Sequence, residues 1–134
     1  MKRINYETLL KEDIRALVKK AENLAGILKN KGSKESNDKS RAQLRNLLEV
    51  IFASACPEEV YLYLGYVKGK QGTKNFWEHT ADEARKIFEE VANLAKERAK
   101  LNNINEQRAI DELIKHYFIK FVGYLIWQYT YLTA

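Results

Sequence analysis

The chain has 134 residues, 46% of them hydrophobic and 31% charged, the proportions of a single soluble domain able to bury a core. One cysteine, Cys56, excludes an internal disulfide and points to a reducing compartment, and one proline with six glycines leaves few turns, which favours helices. The net charge of +5 is one-sided: residues 1–75 carry 15 basic and 9 acidic side chains, residues 76–134 carry 8 and 9, so any polyanion is expected to meet the first part of the chain.

The opening Lys2 and Arg3 lead into a polar, periodic segment and not an apolar block, so no secretory signal is expected and the location is expected to be cytoplasmic. Residues 6–29 are predicted as one helix, because Leu9, Leu10, Ile14, Leu17, Val18, Leu24, Ile27 and Leu28 recur at three- and four-residue steps. The polar stretch NKGSKESNDK, 30–39, is predicted as a mobile loop. Ser40 and Gln43 have capping-box spacing and are expected to open a second helix. Its apolar stripe is Leu44, Leu47, Leu48, Ile51, Phe52 and Ala55. Pro57 suits the first position of a third helix, with Glu58 and Glu59 favourable in its first turn. The segment VYLYLGYV, 60–67, has the residue types of a strand, but its proline–glutamate start and helical neighbours favour a short buried helix.

A basic loop is expected over 68–75. Either Asn75 with Glu78 or Thr80 with Glu83 has the spacing to cap the helix that follows. That helix carries the stripe Ala84, Ile87, Phe88, Val91, Leu94 and Ala95 and runs to about Lys100. LNNIN breaks the chain, and a last helix is predicted from about 105 to 132. No repeat or linker divides the sequence, so the expected fold is all-α, a single-domain bundle of about five helices.

Two basic features ask for a function. Arg41 and Arg45 stand one turn apart at the expected start of the second helix, where like charges cost roughly 0.2–0.5 kcal/mol. Cations there also oppose the helix dipole by roughly 0.3–1 kcal/mol each. A phosphate held by free backbone N–H groups, the Ser40 hydroxyl and two guanidinium forks reverses both signs; neutralisation by Glu49 or by an acid on another helix is the plainer explanation. The second feature is GYVKGKQGTKNFW, 65–77, with Lys68, Lys70 and Lys74, three glycines and no acid. Glycines allow close approach of a phosphate chain, although no Walker pattern is present. Tyr66, Phe76 and Trp77 flank the loop and have the chemistry either to stack on bases or to anchor the core.

The last helix is unusual in another way. YFIKFVGYLIWQYTYL, 117–132, holds one charge in sixteen residues. Ile114, Phe118, Phe121, Leu125 and Leu132 continue one stripe, whereas Ile119, Ile126 and Trp127 point away from it; a helix apolar on more than one side is central in the bundle or buried against another chain, and these three are expected at a protein interface. Lys120 and Gln128 interrupt the run, which argues against a membrane anchor. No catalytic, metal or cofactor site is expected. His79 and His116 lack metal-ligand spacing, Glu112 and His116 read as a surface pair, Cys56 reads as an inert thiol, and no acids converge by spacing.

SRAQLRNLLEVI (40–51), VYLYLGYVKGK (60–70) and the closing YLIWQYTYL, taken in that order, resemble the small helical subunit of type III-A CRISPR effector (Csm) complexes. The likeness covers about residues 40–132 and rests on order and spacing, since each motif alone is loose. It implies a non-catalytic scaffold whose copies stack beside one another and beside other subunits, along a guide RNA and its single-stranded target RNA. By the same resemblance Arg41, Arg45, Lys68 and Lys70 contact RNA backbone. Two departures stand out: Lys70 takes the place of an arginine, which loses a bidentate fork, and the acid ahead of the final tyrosines is absent. The alternative class is a helical dimerisation or adaptor protein with no nucleic-acid role.

Overall fold

The computed structural model describes residues 3–32, 37–70 and 74–134, without the side chains of Asn37, Lys74 and Asn75. Among these residues the chain forms α1 (Tyr6–Lys11), α2 (Ile14–Lys31), α3 (Asn37–Ala53), α4 (Pro57–Gly69), α5 (Lys74–Trp77), α6 (Ala81–Leu101) and α7 (Gln107–Leu132), and no strand. The expected all-α bundle of about five helices is what forms, with the short α1 and α5 added to five longer helices.

The predicted helix 6–29 is two helices. Asn5 caps α1, its Oδ1 accepting from the Thr8 amide at 3.1 Å. The Glu12 and Asp13 amides then close tight turns onto Leu9 and Leu10, and α2 starts afresh behind Asp13. The cause is long-range. Arg98 of α6 donates two hydrogen bonds to the Asp13 carboxylate, at 3.1 and 3.2 Å, and the Tyr117 hydroxyl of α7 donates a third. Apolar periodicity runs through the break because both helices bury the same side.

α7 is the central element and touches α1, α2, α3, α4 and α6. Its buried side carries Leu113, Ile114, Tyr117, Phe118, Phe121, Val122, Leu125 and Tyr129. Phe88 of α6 meets Phe118 and Phe121 edge-on, with ring centroids 4.9 and 5.1 Å apart. The ion pairs Asp13–Arg98, Lys20–Glu90 and Lys31–Glu83 set α2 and α6 antiparallel, since one number rises as the other falls. LNNIN breaks the chain by a Schellman motif. Asn103 adopts the left-handed conformation at φ 58°, and the Ile104 and Asn103 amides donate to the Ala99 and Lys100 carbonyls at 2.9 and 3.1 Å.

Other boundaries also shift. Part of the expected loop 30–39 is helical, because α2 continues to Lys31 and α3 begins at Asn37; residues 33–36 lie outside the described residues. Residues 60–67 are helix, part of α4, which has Pro57 in its first turn; the Glu59 carboxylate reaches back to the Ala55 amide at 2.9 Å. Thr80 stands at the N-cap of α6 without capping it, its hydroxyl donating instead to the Phe76 carbonyl at 2.9 Å. Phe52, expected in the core stripe of its helix, is exposed, because Ser40, Leu44, Leu47 and Ile51 define a buried side from which it is turned away. No helix among the described residues is long and apolar enough to cross a membrane.

Candidate nucleic-acid interface

The predicted contact residues fall on α3 and α4, and the fold treats them unequally. Ser40 is not a cap. α3 starts three residues earlier, so Ser40 is buried within the helix, and Gln43 is buried beside it with no partner for its Oε1 among the described residues. The anion site imagined at that helix start therefore does not form around Ser40.

Arg41 and Arg45 share one side of α3, as the spacing requires. Arg41 Nη2 donates to Asp38 Oδ1 at 2.9 Å, one turn back along the same helix. The acid that balances it is thus neither Glu49 nor a residue of another helix. Asp38 also puts a negative charge in the first turn of α3, which offsets the dipole cost of the arginine. Arg45 is exposed and makes no ion pair among the described residues.

Lys68 and Lys70 separate. Two residues along a helix is about 200° of rotation. Lys68 turns to α6, where its Nζ donates to Asp82 Oδ2 at 2.6 Å. Lys70, the C-cap of α4, turns the other way and places its Nζ 5.4 Å from the centroid of the Tyr66 ring, one turn behind it. Lys74 opens α5; its side chain, and residues 71–73 of the basic loop, lie outside the described residues. Of the three flanking aromatics, Phe76 and Trp77 are core anchors, in edge contact at 4.8 Å, while Tyr66 is exposed.

The face that results differs from the predicted one. α3 and α4 are in contact, and Tyr63 on α4 is held above its ordinary value first by burial and then by Tyr66 and Glu49. Arg45, Glu49 and Phe52 follow one another on α3 at helical spacing; Leu62 and Tyr66 do so on α4. All five are exposed. The exposed groups there that suit a polyanion with bases are the cations Arg45 and Lys70 and the rings Phe52 and Tyr66, with the acid Glu49 among them. Leu62 was legible as an outlier, since Val60, Leu64 and Val67 already occupy the buried side of α4.

The three residues expected at a protein interface also divide. Ile119 and Ile126 are half-buried and pack against the core, and only Trp127 projects into solvent. Its neighbours at helical spacing are the half-buried Tyr124 and the exposed Tyr131, which sequence reading passed over. The interval of three and then four residues between aromatic side chains was the available signal.

Among the described residues no group of three or more His, Cys, Asp or Glu is placed to hold a metal ion. His116 stacks on Tyr6 at 4.9 Å and lies between Glu7 and Glu112, at 3.3 and 3.5 Å, where it ties α1 to α7. Cys56 is half-buried at the start of α4.

No family model, no curated protein and no solved structure matches this chain.

Proposed function

We propose that the chain is a non-catalytic RNA-binding subunit of a type III-A CRISPR ribonucleoprotein. It stands along guide RNA and single-stranded target RNA, beside other subunits and copies of itself, and grips sugar-phosphate without reading bases. The reading carries a cytoplasmic location with it. It rests on the ordered motifs of residues 40–132. The observation that supports it most is the exposed Tyr66–Lys70 pair, a ring and a cation one turn apart on α4, a helix in contact with the α3 that carries the exposed Arg45.

The ion pairs at Arg41 and Lys68 do not remove those cations from the proposed contact. Their acids, Asp38 and Asp82, are 93% and 80% exposed at the side chain. Such pairs contribute about 0–1 kcal/mol, so exchanging carboxylate for phosphate is close to neutral and the phosphate adds counterion release. Contacts with backbone alone give position and affinity but no sequence preference. A single copy is expected to bind weakly, and neighbouring copies on one strand supply the avidity.

The exposed aromatic side of α7 favours a second reading, an adaptor protein without RNA. Co-expression with the backbone subunits of a type III-A complex and a guide RNA separates the two. The RNA-binding subunit co-purifies with the particle and is lost when the guide is digested. An adaptor self-associates or binds protein with no response to the guide, and that result contradicts the proposal.

A further inference from the structure

α2 and α7 run parallel, with Asp13 beside Tyr117 and Val18 beside Tyr124, and an open groove of about 450 Å³ lies between them, lined by Val18, Tyr124, Trp127, Gln128 and Tyr131. Trp127 and Tyr131 are 73% and 77% exposed, so α7 leaves two large rings uncovered. The two rims differ in charge. From Phe121 to the end of the chain α7 contributes no charged residue. On α2, Arg15 and Lys29 lie on the same side as Val18 by helical spacing, with Glu22 as the one acid among them. Neither of those two cations makes an ion pair among the described residues. Lys120 adds a further cation at the near end of the groove, 5.9 Å from the Tyr124 centroid.

We propose that this groove receives an amphipathic helix of a partner protein, with its apolar side on Trp127 and Tyr131 and acidic residues along the flank that faces α2. Aromatic anchors in an apolar trough with charge on one edge are the anatomy of helix-in-groove recognition. RNA suits the groove less well, because a phosphate chain wants cations along its track and the α7 rim has none beyond Lys120. A second copy of this chain suits it less well too. The other exposed apolar face, around Phe52, Leu62 and Tyr66, carries Arg45 and Lys70 and would bring like charge to the α2 rim. The inference rests on the reading that the chain works inside an assembly, but not on the RNA contact.

Trp77 is fully buried, so quencher-accessible tryptophan fluorescence in the intact chain reports Trp127. The probes are a designed amphipathic peptide of about 18 residues, long enough to hold a helix, with leucines on one side and glutamates on one flank; the same peptide with lysines on that flank; and an oligouridine. The glutamate peptide shifts Trp127 emission to the blue and shields it from acrylamide. The lysine peptide and the Arg15→Glu variant each weaken binding about tenfold or more, as expected of like charge at a rim. Equal binding of the two peptides, no binding of either, stronger shielding by oligouridine, or shielding that grows with protein concentration alone each overturns the proposal. The peptide response is expected to survive Arg45→Glu. Loss of RNA retention in that variant with the response intact concerns the α3–α4 face and not the groove.

Discussion

The two flanks of α2 make a direct comparison. Toward α6 three ion pairs form: Asp13 holds Arg98, Lys20 meets Glu90 at 2.9 Å, and Lys31 meets Glu83 at 2.8 Å. Toward the outer side of α7, Arg15 and Lys29 have no carboxylate partner among the described residues, and the neighbouring helix offers aromatic rings instead. The same residue types thus do different work a half-turn apart. One flank fixes the position of a helix within the fold; the other is left for something outside it. On the α3–α4 face Lys68 pairs with Asp82 of α6, and Lys70 lies over the Tyr66 ring.

If the paired flank is structural, its substitutions cost stability, and those of the other flank do not. The largest effect is expected at Asp13, whose side chain is 12% exposed. Asp13→Ala strands the Arg98 guanidinium and the Tyr117 hydroxyl together, at a cost of about 2–4 kcal/mol, read as a lower urea midpoint with an unchanged slope. Arg15→Ala on the other flank is expected to stay within about 0.5 kcal/mol. Equal losses for the two would erase the distinction.

Tyr117→Phe is a gentler version of the same test, with an expected loss of about 1–2 kcal/mol, because Asp13 keeps both Arg98 bonds. Tyr117 and Tyr61 also give the fold an alkaline limit. Burial, and for Tyr117 the bond to Asp13, raises both; Tyr61 is pushed up to about 12 by burial first and then by Glu89 and Glu58, with Arg85 opposing. A raised phenol binds its proton more tightly in the folded chain. Its contribution is therefore complete below the ordinary value of 10.0 and is lost as the pH rises through about 12. The urea midpoint should fall across that window, and Tyr61→Phe should flatten the fall. The smallest effect belongs to Lys31→Ala. Its pair with Glu83 is largely exposed, and less than about 1 kcal/mol is expected; a larger loss would mean that exposed pairs also hold α2 to α6.

Local chemistry was readable along the chain, and its spatial consequences were not. Pro57 and the apolar stripes announced α4, α6 and α7, and LNNIN announced the turn that Asn103 makes. The break at Asp13 was hidden, because its cause is the distant Arg98 and Tyr117 and the apolar rhythm does not falter there. Ser40 and Gln43 have capping-box spacing yet are buried inside α3; the spacing says nothing about which earlier residue starts the helix. Lys68 and Lys70 looked like one basic pair, since adjacency in sequence suggests adjacency in space, whereas helix geometry sets them on opposite sides. Ile119, Ile126 and Trp127 all lay off the main stripe of α7. A helix in contact with five others buries more than one side, so only Trp127 stayed outside.

The RNA contact is tested most directly by fluorescence anisotropy of the full chain with a labelled single-stranded RNA across a salt series. Arg45→Glu combined with Lys70→Glu is set against the unsubstituted chain. Three or four phosphate contacts predict a log–log salt slope of about −2 to −3. The double substitution should make the slope shallower by about 1.4 and abolish binding at moderate salt, with the helical circular dichroism unchanged. Binding of equal strength and equal slope in the two proteins would contradict the assignment of the α3–α4 face to RNA.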